Sequence, residues 1–109
     1  MTTDINAILA KRGERYGVFR DHATISQALK DVMRGRFPDV GLLGNEVELR
    51  KSLGEAFELR LDADQIEALD MIAHKIARIL NGDPNYADSW DDIAGYAKLV
   101  GDRLKGVTR

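Results

Sequence analysis

The sequence predicts an all-α fold: a small helical bundle of four to five helices, with the last two forming an antiparallel hairpin. Three observations carry this. Apolar residues recur at helical spacing along nearly the whole chain. The only two prolines, Pro38 and Pro84, fall where that pattern pauses. Strand-like alternation is confined to Phe57–Leu61, which has no obvious partner strand. At 109 residues, the reading is a single helical domain over 1–109.

Each helix has recognisable ends. The first starts after Thr3 with a polar cap, carries Ile5, Ile8, Leu9 and Arg12 at helical spacing, and stops at Tyr16-Gly17. The second runs from about Asp21 to Arg34, with His22, Ile25, Leu29, Val32 and Met33 on one face and Phe19 just ahead. Gly35 and Phe37-Pro38 end it, and residues 38–45 form a loop with two glycines. Asn45 then caps a shorter helix that reaches about Phe57. The fourth helix has the clearest start, a capping box of Asp62 with Gln65. Ile66, Leu69, Ile72, Ala73, Ile76, Ile79 and Leu80 share its wide apolar face, and Gly82 and Pro84 close it. The last helix begins at Ser89, buries Ile93, Tyr96, Ala97, Val100 and Leu104, and ends at Gly106.

Composition narrows the function classes. The chain has no cysteine, which removes disulfides, thiolate metal sites and cysteine catalysis, and fits a cytoplasmic protein. No apolar run approaches the roughly 20 residues that span a bilayer, and Met1-Thr-Thr-Asp4 lacks a signal-peptide pattern. The net charge of −2 covers a basic first third: residues 1–37 hold seven Lys/Arg against four Asp/Glu. That surplus is too small to hold duplex DNA, although it favours a phosphate over a cation. No Walker loop, dinucleotide fingerprint, nucleophile elbow or zincin motif occurs, and Gly13, Gly17 and Gly35 are too scattered to cradle a phosphate.

The polar residues of 68–97 draw attention because they crowd one short loop. At about 100° per residue, Glu67, His74 and Arg78 fall opposite the apolar face of the fourth helix and should meet solvent. Asp70 and Lys75 fall on its two shoulders, where neighbouring helices sit. On the last helix Asp91, Lys98 and Asp102 point outward, and Asp92 lines up with Tyr96 and Arg103. Lys75 and Arg78 would grip a phosphate, or else pair with Asp92 across the hairpin. Tyr16, Tyr86 and Trp90 would stack on a base, or else pack. Asp70, Asp88 and Asp92 are candidate ligands for Mg²⁺, against the plainer reading of surface and capping carboxylates. His22 is expected at the core edge and His74 in solvent. Met71, Gly95 and Gly101 leave small or apolar patches on outer faces, which points to a homo-oligomer.

The segments Arg15-Tyr-Gly17, Ile25-Ser-Gln-Ala-Leu-Lys30, Ala68–Arg78, Asn81–Tyr86 and Asp92–Ala97 resemble a small phage and prophage protein family of unknown function, over most of residues 8–104. Residues 38–61 are longer than the connection usual there. More distantly, Arg15-Tyr-Gly17 with Lys75-x-x-Arg78 and Asp92-Ile-Ala-x-Tyr-Ala97 is similar to a nucleotide-modification-associated domain of phage operons. The layout also resembles the all-α nucleoside triphosphate pyrophosphohydrolases. Glu67-x-x-Asp70 and Asp88-x-x-Asp91 stand in comparable places, but the first acidic motif of those enzymes is incomplete. The resemblance implies a cytoplasmic protein, in a host cell if phage-encoded, that binds a nucleotide or nucleotide-derived ligand and sequesters it. Arg15, Lys75 and Arg78 would hold phosphate, Tyr16, Tyr86 or Trp90 would stack, and Asp92 would orient a cation or basic group. The alternatives are Mg²⁺-dependent pyrophosphohydrolysis through Glu67, Asp70, Asp88 and Asp91, and an interaction module acting on a host or phage protein.

Overall fold

Helix α4 (Ala63–Asn81) is the spine of the protein, and the first, second and last helices pack on it. The structure, a computed structural model, describes residues 4–37 and 46–109. In chain order the helices are α1 (Ile5–Tyr16), α2 (Phe19–Met33), α3 (Glu46–Glu55), α4, and α5 (Ala87–Leu104). Among the described residues there is no strand. The alternating stretch near Phe57 is instead a π-helical turn, Ala56–Arg60, that continues α3. Phe57 is buried there beneath the Arg34 guanidinium, whose carbon lies 4.4 Å from the ring centroid. The tertiary contact therefore overrides the local strand preference. The expected loop over 38–45 and its Asn45 cap lie outside the described residues.

The helix ends follow the local chemistry. Asp4 caps α1 by accepting from the Asn6 amide at 2.9 Å. Asp62 and Gln65 form the capping box, with Gln65 Oε1 accepting from the Asp62 amide at 2.8 Å. Helix α5 begins at Ala87, two residues before the expected Ser89. Tyr86 takes the cap position without a side-chain capping bond, and Ser89, inside the helix, is buried. At the far end Gly106 adopts φ 86°, turning the chain back on α5. Asp102, expected to face outward, is therefore buried between Lys98 at 3.0 Å and Arg109 at 2.7 Å.

Helices α4 and α5 form the antiparallel hairpin, joined through residues 82–86. Lys75 pairs with Asp92 at 2.9 Å along its length. Arg103 reaches Asp64 at 2.6 Å and Asp62 at 3.0 Å where the end of α5 meets the start of α4. Helix α2 packs along the other shoulder of α4. Its C-cap residue Arg34 grips Asp70 through two bonds of 2.7 Å. Asp70 and Lys75 thus meet neighbouring helices, as their angular positions predict.

Candidate functional site: a cationic, aromatic cleft at the α1–α4 junction

Two glycines bring the ends of α1 and α4 together. Gly17 has φ 78°, a backbone that disfavours any side chain, and a Cβ there would strike the Asn81 backbone. A Cβ on Gly82 would overlap the backbone of Arg15 and Tyr16. This close approach lets the Asp83 amide donate to Arg15 O at 2.6 Å. The Asn81 side-chain amide donates to Tyr16 O at 2.8 Å and to Val18 O at 3.0 Å. The end of one helix is thereby bonded directly to the end of the other.

This junction assembles a cation–aromatic ladder. Arg15 lies 4.8 Å from the Tyr86 ring centroid, and Tyr86 meets Tyr16 edge-on at 6.1 Å. Tyr16 in turn carries Arg78 on its face at 4.2 Å. The Tyr86 hydroxyl donates to Asp88 at 2.9 Å, and the carboxylate beside it raises the phenol pKa. Of the residues proposed from sequence, Arg15, Tyr16, Arg78 and Tyr86 come together here.

The others do not. Lys75 and Asp92 occupy each other across the hairpin, which is the structural alternative the sequence left open. Trp90 donates its indole N–H to Pro84 O at 2.8 Å and holds the 82–86 loop. The three proposed Mg²⁺ ligands are dispersed: Asp70 is on Arg34, Asp88 on Tyr86 and Asp92 on Lys75. Among the described residues no group of three or more His, Asp or Glu converges as a metal site would require.

Behind the ladder a cleft of about 490 Å³ opens between α1, α2 and α4. Arg12, Tyr16, Phe19, His22 and Arg78 give its character, and Leu9 and Val18 add apolar wall. The size suits a small organic ligand. Neither Arg12 nor Arg78 forms an ion pair among the described residues, so two guanidinium groups face the opening uncompensated. Phe19 is 77% exposed at the rim.

The cleft runs inward to a histidine pair. His22 Nε2 and His74 Nδ1 are 3.3 Å apart, with ring centroids 4.5 Å apart and the rings nearly perpendicular. His74 was expected in solvent, but α2 crosses that side of α4 and half-buries it. Burial is the largest cause holding both rings below the ordinary histidine pKa, and Arg78 is the next. His74 is pushed down to about 4. Two neutral rings then share a bond, one donating to the other. Sequence reasoning missed Arg12, Phe19 and the pairing of His22 with His74. The signal for Arg12 was present, since it shares one α1 stripe with Ile5, Leu9 and Tyr16.

Fold and cleft together define a small all-α domain with a basic, aromatic-walled cleft. The chain belongs to the family described as domain of unknown function DUF6378, whose model matches residues 1–104. Neither the curated proteins nor the solved structures compared with it give a match.

Proposed function

We propose that this protein binds a nucleotide or nucleotide-derived ligand in the α1–α2–α4 cleft, that it acts by sequestering that ligand, and that it works as a homo-oligomer. The observation that supports the ligand most directly is the presence in one cavity of Arg12 and Arg78, which form no ion pair among the described residues, together with the rings of Tyr16 and Phe19. Guanidinium groups hold phosphate oxygens through charge-assisted bonds, and a ring at the rim stacks on a base. The neutral histidine pair supplies a polar floor without adding charge. Among the described residues no acidic side chain borders this cleft, which favours an anion over a metal ion. The resemblance of residues 8–104 to small phage and prophage proteins supplies a setting: a host cell cytoplasm in which a phage competes for nucleotides or nucleotide signals.

A thermal-shift and calorimetric titration of the purified chain with mono-, di-, tri- and cyclic nucleotides tests this. A ligand that binds only the folded state raises the melting temperature in proportion to RT ln(1 + [L]/Kd). The expected result is binding that Arg12→Ala and Arg78→Ala weaken without loss of helix content. Unchanged affinity in both variants would overturn the assignment.

A further inference from the structure

The apolar stripe of α4 is not where its neighbours sit. At about 100° per residue, the positions facing α2 (Asp70, Ala73, His74, Ala77) and those facing α5 (Ala68, Lys75) lie about 160° apart around the helix axis when measured across Arg78. Leu69, Ile72, Ile76 and Leu80 fall in the wider arc, about 200°, on the other side. Leu69 is 36% exposed and Leu80 66%. Helix α5 brings Val100 and Leu104 up on the same side, and Leu69, Ile72 and Val100 line a shared groove of about 280 Å³. The apolar residues that are buried among the described ones are Phe57 and three alanines, Ala68, Ala73 and Ala77. The largest apolar side chains of the spine helix are therefore outside the core of a single chain.

The whole chain is correspondingly open. Its accessible surface is 7957 Å², whereas a compact monomer of this mass exposes about 6,000 Å². Its radius of gyration is 16.9 Å, against about 13 Å for a compact chain of this length. The excess of roughly 1,900 Å² is spread over the whole chain and is of the size, roughly 1,000–2,500 Å², that each partner hides in an obligate homodimer; the α4–α5 face contributes Leu69, Leu80 and Leu104 to it.

We infer that a second copy of this chain covers the α4–α5 face, so that two hairpins pack as a four-helix layer about a two-fold axis. Self-pairing requires a surface that meets its own image without repulsion. The stripe of Leu69, Ile72, Ile76 and Leu80 carries no charge, and of the hairpin's charged residues Lys75 is paired with Asp92 and Arg103 with Asp62 and Asp64. Arg78 projects from nearly the opposite side of α4, so the dimer leaves the cationic cleft open. This deepens the homo-oligomer part of the proposed function and is independent of the ligand. It also moves self-association away from Met71, Gly95 and Gly101, the positions that pointed to it in the sequence.

Light scattering during size exclusion, on the full chain at micromolar concentration, is expected to give twice the 12.1 kDa chain mass. The melting temperature is expected to rise with protein concentration. Leu80 and Leu104 are 66% and 61% exposed in the single chain, so Leu80→Glu and Leu104→Glu add no buried charge to it. Together they are expected to raise the dimer dissociation constant by roughly 100-fold or more. Leu59→Glu, at an 80% exposed position on the π-helical turn, is expected to leave the mass unchanged. A monomeric wild type with a concentration-independent melting temperature overturns both the interface and the oligomer reading. A dimer that persists in the Leu80→Glu, Leu104→Glu variant overturns this face alone.

Discussion

Arg78 lies over the ring of Tyr16 at 4.2 Å, while Lys75, three residues earlier on the same helix, is bound to Asp92 at 2.9 Å. The two cations therefore have different tasks. One is held by an aromatic face that leaves its donors facing a cavity, and the other joins α4 to α5. Arg78→Ala is expected to weaken nucleotide binding about 10- to 100-fold, the loss of one charge-assisted phosphate contact, with little change in melting temperature. Lys75→Ala is expected to leave affinity nearly unchanged and to cost about 0.5–1 kcal/mol of stability, because Asp92 is about half exposed. Calorimetric titration beside thermal melts separates the two. Equal loss of affinity in both variants would show that Arg78 is not a ligand contact.

The α1–α4 junction rests on the missing side chain of Gly82. An added Cβ would meet main-chain atoms of Arg15 and Tyr16, which cannot rotate away. Gly82→Ala is expected to cost about 1–3 kcal/mol. It should also weaken ligand binding, since the ladder of Arg15, Tyr86, Tyr16 and Arg78 hangs on the same contact. Gly95 is the contrast: it is mid-helix in α5 with nothing within 4 Å of its Cβ position. Gly95→Ala is expected to stabilise by up to about 1 kcal/mol through helix propensity. Denaturant melts of both variants check the sign. A neutral Gly82→Ala would mean that the two helix ends do not touch.

Much of the fold could be read from the sequence because caps and periodicity are local. Asp62 with Gln65, the stop at Tyr16-Gly17 and the turn at Gly106 each depend on a few neighbouring residues. The shoulder positions of Asp70 and Lys75 could be read for the same reason, since helical phase fixes the direction in which each side chain leaves the axis. What phase does not fix is which direction the rest of the chain occupies. Placing the centre of the α4 stripe on the inside sends His74 and Arg78 to solvent. The actual neighbours grip the shoulders, which brings α2 over His74 and carries the Tyr16 ring to Arg78. Arg78 and Tyr86 flank one loop in the sequence, whereas Arg15 is joined to them only through the resemblance to phage-operon domains and Tyr16 only as a candidate stacking ring. Phe19 and His22 reach the cleft only through the packing of α1 and α2 on α4, which no local pattern encodes, whereas Arg12 is marked by its place on the α1 stripe of Ile5, Leu9 and Tyr16.

The histidine pair gives stability a pH dependence of defined sign. His74 is held at about 4 in the folded chain, whereas an unfolded histidine titrates near 6.5. Between those values the unfolded state binds more protons, so stability rises with pH across this window and is lost on acidification through it. His22, also lowered, contributes in the same direction. The carboxylates tied to Arg103 and Lys98, Asp64 and Asp102, have lowered pKa values and act at lower pH, below the ordinary Asp value of 3.8. Melting temperature is therefore expected to hold steady above pH 7 and to fall between about 6.5 and 5. His74→Gln should flatten that slope. An unaltered slope in the variant would assign the acid sensitivity to other groups.

Ligand binding is expected to be linked to the same protons through His22, the member of the pair that borders the cleft. In the free protein its pKa is depressed first by burial and then by Arg78 and Lys30. A phosphate held by Arg12 and Arg78 places negative charge beside the ring and offsets both cations, so the bound state favours imidazolium more than the free state does. By linkage, affinity should then increase as pH falls from about 7 toward 5, with proton uptake on binding. A nucleotide monophosphate also titrates near 6, and a cationic site would make it release a proton, so the protein's share must be isolated. The difference between wild type and His22→Gln for one ligand does this, because the ligand's own contribution cancels. Titration at pH 6 in buffers of different ionisation enthalpy should show wild type taking up more protons than His22→Gln. Identical proton counts in the two proteins would place the anion away from His22, and with it away from the inner end of the cleft.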